Sequence, residues 1–177
     1  MIKTLTKKRF ILNGLLLLAI GGLIGFINQQ SNQVIKINSL YDESMGNEIH
    51  SISIYHYKAD SSSDDSTIKL KKVANKWLII KPIEREADQR KIQHLMTLLS
   101  ERIDASYPVA GKDLVTFGLD KERVSVTFNG VKIQFGVLNP ISHKRYLRKD
   151  NTVYIVTETV YGLLIGGVTG FILDYSH

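Results

Sequence analysis

Histidine, serine and paired acids are the side chains that most often carry chemistry, and in this chain none falls at a spacing that catalysis or metal binding uses. The five histidines, His50, His56, His94, His143 and His177, include no His-x-x-x-His pair that would set two ligands on one helix face. No serine sits in a Gly-x-Ser-x-Gly elbow. Asp64 with Asp65, and Glu84 with Glu86, lie in polar surroundings, without the apolar pocket that would separate their pKa values into an acid and a base. The loop at 60–66 carries three aspartates, but it lacks the glycine of a sharp turn and the closing glutamate of a calcium loop. There is no cysteine, which removes disulfides, thiolate metal sites and a nucleophilic thiol. The sequence therefore points to no catalytic residue, no metal ligand and no cofactor.

The densest remaining group is basic: His143, Lys144 and Arg145, with Arg148 and Lys149 closing the same strand. Read as an edge-like strand, it offers His143, Lys144, Arg145 and Arg148 as partner-binding residues for an acidic surface or lipid headgroups. Charges in such a place also guard exposed strand edges against unwanted pairing.

The formal charge of +6 does not mark a nucleic-acid binder. Lys3, Lys7, Lys8 and Arg9 precede the first acid, and the rest of the chain is nearly balanced, so no basic face is expected on the folded domain. Those four cations flank residues 10–27, FILNGLLLLAIGGLIGFI, an uncharged run of eighteen residues. As a helix it is about 27 Å long, close to the hydrocarbon thickness of a bilayer. The run exceeds the apolar core of a signal peptide and no Ala-x-Ala site follows it, so it reads as an uncleaved anchor. Basic residues before it and none directly after orient the N-terminus toward the cytoplasm. The expected organisation is a cytoplasmic basic N-terminus (1–9), a transmembrane anchor (10–27), a tether (28–48) with one short strand at 34–37, and an extracytoplasmic α+β domain (49–177). The protein is thus expected in a bacterial inner membrane, with its C-terminal domain periplasmic or extracytoplasmic.

With 44% hydrophobic and 23% charged residues, the chain has the balance of one ordinary core. Ile52 and Ile54, then Ile68 and Leu70, alternate with polar neighbours and predict strands with one buried face. A hairpin runs from the second of these through Ala74-Asn75 into Trp77-Leu78-Ile79-Ile80. Val124, Val126 and Phe128 lead into Asn129-Gly130, and Val131, Ile133 and Phe135 lead out, the strongest short-range hairpin signal in the chain. A third hairpin joins 145–148 to 152–156. Between them Ile92, Leu95, Met96, Leu99 and Ile103 form one stripe of helical period, predicting a long helix over 88–103 that Asp88 caps. A short helix over 158–165 and a packed Phe171-Ile172-Leu173 segment end the domain. The fold class is α+β: an N-terminal transmembrane helix, then a mostly antiparallel sheet of hairpins with one long packed helix and a short C-terminal helix.

Asn75-Lys76-Trp77, Pro82 before the helix, the segment Asp113-Leu114-Val115-Thr116-Phe117-Gly118-Leu119, and Gly136 occur in that order. Lys144-Arg145-Tyr146-Leu147-Arg148, Val153-Tyr154-Ile155-Val156 and Phe171-Ile172-Leu173-Asp174 continue the series. Over roughly residues 52–174 the chain resembles the membrane-anchored proteins of the domain-of-unknown-function 4340 family. The resemblance implies a bacterial protein with an N-terminal membrane helix, related to auxiliary components of ABC-type transport systems. It brings no catalytic residues.

The function expected is therefore a non-enzymatic, membrane-anchored accessory or assembly subunit, with the lipid bilayer and a membrane protein as partners and no nucleic acid. The alternative is an extracytoplasmic module that binds a small ligand or envelope polymer in a cleft between helix and sheet, lined by Tyr55, Tyr57, Tyr146 and Tyr154.

Overall fold

A computed structural model describes residues 39–41, 43–57 and 66–173. The apolar run at 10–27, the strand expected at 34–37, the two acids Asp64 and Asp65, and His177 lie outside the described residues. Among the described residues no helix is long and apolar enough to cross a membrane.

Nine strands form one sheet: β1 (Ser51–His56), β2 (Thr67–Val73), β3 (Lys76–Lys81), β4 (Arg85–Glu86), β5 (Ile103–Pro108), β6 (Val124–Phe128), β7 (Val131–Leu138), β8 (Arg145–Lys149) and β9 (Thr152–Val156). Their spatial order is β4-β3-β2-β1-β6-β7-β8-β9-β5, and every pairing is antiparallel. The three expected hairpins are all present. Asn129, at φ 46°, and Gly130, at φ 93°, supply the two left-handed residues that the β6–β7 turn demands.

Alternation along the strands sends Ile52, Ile54, Leu70, Ile79, Val126, Phe128, Ile133, Phe135 and Leu147 to one face, where a helical layer covers them. That layer is α1 (Gln89–Met96), α2 (Tyr161–Ile165) and the 3-10 turns Thr97–Ser100 and Gly167–Phe171. Asp88 caps α1 as expected, its carboxylate accepting the Arg90 N–H at 2.9 Å. Burial pushes the Asp88 carboxyl up, yet the backbone N–H groups of Arg90 and Lys91 and the Arg90 charge outweigh it and hold the group below its ordinary range. Gln89 ties the helix to β3 by accepting from the Trp77 N–H at 3.0 Å and donating to the Trp77 carbonyl at 3.1 Å.

The helix is shorter than the stripe predicts. Ile92, Leu95 and Leu99 bury as one face, but the α-helix gives way to a 3-10 turn after Met96, and Ile103 opens β5 opposite Val156. From Ile103 the alternation with period two prevails, because pairing with β9 satisfies a row of backbone groups that a longer helix would leave turned to solvent.

The described part of the stretch expected as a tether, 39–41 and 43–48, contributes to the core. Leu40 and Met45 are buried with Ile49, and the Tyr41 N–H donates to the Leu99 carbonyl at 3.0 Å. Two polar side chains hold this stretch in place. The Lys149 ammonium donates to the Leu40 carbonyl at 3.0 Å. Asn129 accepts from the N–H groups of His50 and Ser51, both at 3.0 Å, and donates to the carbonyls of Met45 at 2.7 Å and Glu48 at 2.8 Å.

Among the described residues, those that cover the far face of the sheet lie over one half of it. The segment 109–123 lies over β7 and β8, burying Leu119 and stacking Phe117 on Tyr146 with ring centres 4.7 Å apart. Gly136 makes this approach possible, since a Cβ there would stand 2.2 Å from the Phe117 carbonyl oxygen. The other half, over β1 and β6, is a hydroxyl-lined surface with Ser53, Tyr55, Ser125 and Thr127.

Candidate functional site

The basic cluster is not an edge. β8 lies between β7 and β9, because β5 and not a hairpin strand closes that side of the sheet. Its cations accordingly part company. Arg145 is buried, its Nε donating to the Glu158 carboxylate at 2.6 Å and its Nη1 to the Gly136 carbonyl at 2.8 Å. Its guanidinium stacks 3.6 Å from the centre of the Tyr161 ring. Glu158 completes the unit by accepting the Tyr161 N–H at 2.8 Å, so the pair fixes the first turn of α2 to β8. Lys144 pairs with Asp104 on β5 at 2.8 Å, and the Arg148 Nε donates to the Asp150 carbonyl at 3.2 Å. His143 alone is exposed, held at φ 55° in the turn before β8.

Several aliphatic residues before and within that turn are exposed. Ile141 is 89% exposed, Leu138 50% and Val137 46%. Val115, 66% exposed, belongs to the segment that joins Val137 through its N–H bond to the Phe117 carbonyl at 3.0 Å and through Gly118.

A second feature opens on the helical side of the sheet. The alternation that buries Ile52 and Ile54 carries His56 to the same face, where it pairs in register with Val124. A cavity of about 560 Å³ lies there, lined by His56, Tyr57, Lys121, Glu122, Arg123, Val124 and Tyr161. His56 Nδ1 is buried without a hydrogen-bond partner, an arrangement that costs about 1–3 kcal/mol if left unmade. Lys121 and Arg123 are exposed and make no ion pair among the described residues. The one acid of the wall among the described residues is already engaged: Glu122 accepts from the Ser125 hydroxyl at 2.5 Å and from the Lys132 ammonium at 2.9 Å. Burial pushes its carboxyl up, but these two partners outweigh that and hold it ionised below the ordinary glutamate range.

Of the tyrosines expected in a cleft, Tyr57 alone lines this one. Tyr55 lies on the opposite face, Tyr146 is stacked under Phe117, and Tyr154 packs against the core. Tyr161, Lys121 and Arg123 carry no signal in the sequence, because a helix and a loop distant along the chain bring them together. The remaining histidines stay apart: His50 is exposed and the His94 ring lies 3.3 Å from the Thr159 carbonyl. Glu86 pairs with Lys76 at 3.1 Å while Glu84 is exposed, so these acids form no couple. Among the described residues no three of His, Cys, Asp and Glu are grouped to hold a metal ion. Compared with known proteins, the chain matches no family model, no curated protein and no solved structure.

Proposed function

We propose that this chain is a non-enzymatic accessory or assembly subunit, anchored in a bacterial inner membrane through residues 10–27, whose extracytoplasmic domain docks on a membrane-protein partner. The reading keeps to the domain-of-unknown-function 4340 family that the sequence resembles and to its link with ABC-type transport systems. The observation that carries it is the exposure of the aliphatic residues Val115, Val137, Leu138 and Ile141 on a folded domain, with His143 exposed after them in the chain. Among the described residues His143 is the exposed member of the basic cluster. Lys144, Arg145 and Arg148 serve the domain itself.

The test is copurification of the full chain from gently solubilised membranes at native expression. A stoichiometric partner is expected, and it should be lost from Ile141→Asp, a change at a site too exposed to disturb the core. A chain that purifies alone, or a partner retained by the variant, defeats the reading.

A second reading, a module that binds a small ligand, is favoured by the cavity beside His56. Its volume lies in the range of small-molecule sites, about 300–1,000 Å³.

A further inference from the structure

We infer that the cavity between the ends of β1 and β6 and the start of α2 binds a small organic oxyanion, with Lys121 and Arg123 meeting its charge and His56, Tyr57 and Tyr161 forming walls of the space. The inference rests on the second reading above and specifies its ligand class.

Charge decides the class. Among the described residues two cations without acidic partners line the space, while the one carboxylate there is neutralised by Lys132 and hydrogen-bonded by Ser125. A cationic or neutral ligand would leave both basic groups unanswered. An oxyanion answers them with charge-assisted hydrogen bonds. The organic part follows from the rest of the lining. The Tyr57 and Tyr161 side chains offer aromatic surface, and the Tyr161 ring is held rigidly by the Arg145 guanidinium. Rigid aromatic walls with a few converging polar groups suit a ligand that has a body as well as a charge.

Carboxylates and phosphates share this chemistry, so the probes separate them. Isothermal titration calorimetry on the purified full chain would use phenyl phosphate, benzoate, inorganic phosphate and neutral phenol. Saturable binding of phenyl phosphate, benzoate or both is expected, with Kd of about 1 mM or tighter, and phenol should bind at least about tenfold more weakly. Which anion binds better identifies the source. Lys121→Gln combined with Arg123→Gln should weaken the anion by about tenfold or more, and both residues are exposed enough for the fold to be kept. A second measurement needs no variant of the basic pair: NMR of the histidine rings, with His56 assigned by His56→Asn, should show the ring signals of this wall residue move on adding the anion. Phenol binding as tightly as the anions overturns the ligand class while leaving a ligand site. Absence of saturable anion binding, an undiminished affinity in the double variant, or an unmoved His56 signal overturns the site.

Discussion

Arg145→Met removes the cation of the buried pair while keeping most of its aliphatic bulk. The Glu158 side chain is 4% exposed, so without Arg145 its charge has no water to turn to. Stripping one partner from a buried pair costs about 3–5 kcal/mol. The Gly136 carbonyl would lose its donor and the Tyr161 ring its cation, each about 1 kcal/mol of that cost. Because the Arg145 side chain keeps 10% exposure, relaxation toward water places the expected cost at the lower end, about 3–4 kcal/mol. Urea unfolding of the full chain, followed by the fluorescence of the single buried tryptophan, Trp77, measures it. The partner variant Glu158→Gln separates charge from packing. Its amide oxygen can still accept the Tyr161 N–H, so the double variant should be more stable than Arg145→Met alone by about 1.5 kcal/mol or more. A cost below about 1 kcal/mol for Arg145→Met, or a double variant no better than the single, would refute the view that this pair is desolvated and mutually dependent.

Asn129→Gly keeps a residue at ease with positive φ but deletes five side-chain hydrogen bonds, so a loss of about 2–4 kcal/mol is expected, with faster proteolysis in 41–50 than in the sheet; a loss under about 1 kcal/mol would show that the turn, and not the bonds, matters. Glu101 is raised above its ordinary value, first by burial and then by the charge of Glu158. A carboxyl raised on folding favours the native state only while protonated, and that advantage is lost as pH climbs through the native-state pKa. Glu101→Gln should therefore stabilise the protein at neutral pH, with a gain that fades on acidification below the carboxylate range. Thermal melts across pH would contradict this if the variant were the weaker at neutrality.

What could be read directly was local. Asn129-Gly130, the Ala74-Asn75 turn and alternating runs such as Ile52-Ser53-Ile54 disclosed three hairpins because the contacts that stabilise them lie between near neighbours. β5 escaped because Ile103 fits both the helical stripe and an alternating strand, and its partner β9 is distant along the chain. The same omission made β8 look like an edge and its arginine look free. Polar residues misled for a related reason: Asn129, Lys149 and Arg145 read as turn or surface residues, yet each satisfies backbone groups or an acid contributed by another part of the fold. The cavity was half legible, since parity placed His56 inward, while Lys121, Arg123 and Tyr161 belong to elements that only the folded sheet assembles.

The strand order imposes a schedule on synthesis. β1 to β4 can pair as soon as they emerge, but β5 is delivered to a rim whose neighbour has not been made and must wait for the whole β6–β9 meander to fill the gap. Until then its backbone donors and acceptors, and the flank of β1 that will receive β6, stay open to other chains. A factor that shields this waiting strand in the nascent chain would raise the yield of native protein, and a stop codon placed anywhere before β9 would leave a product prone to aggregation.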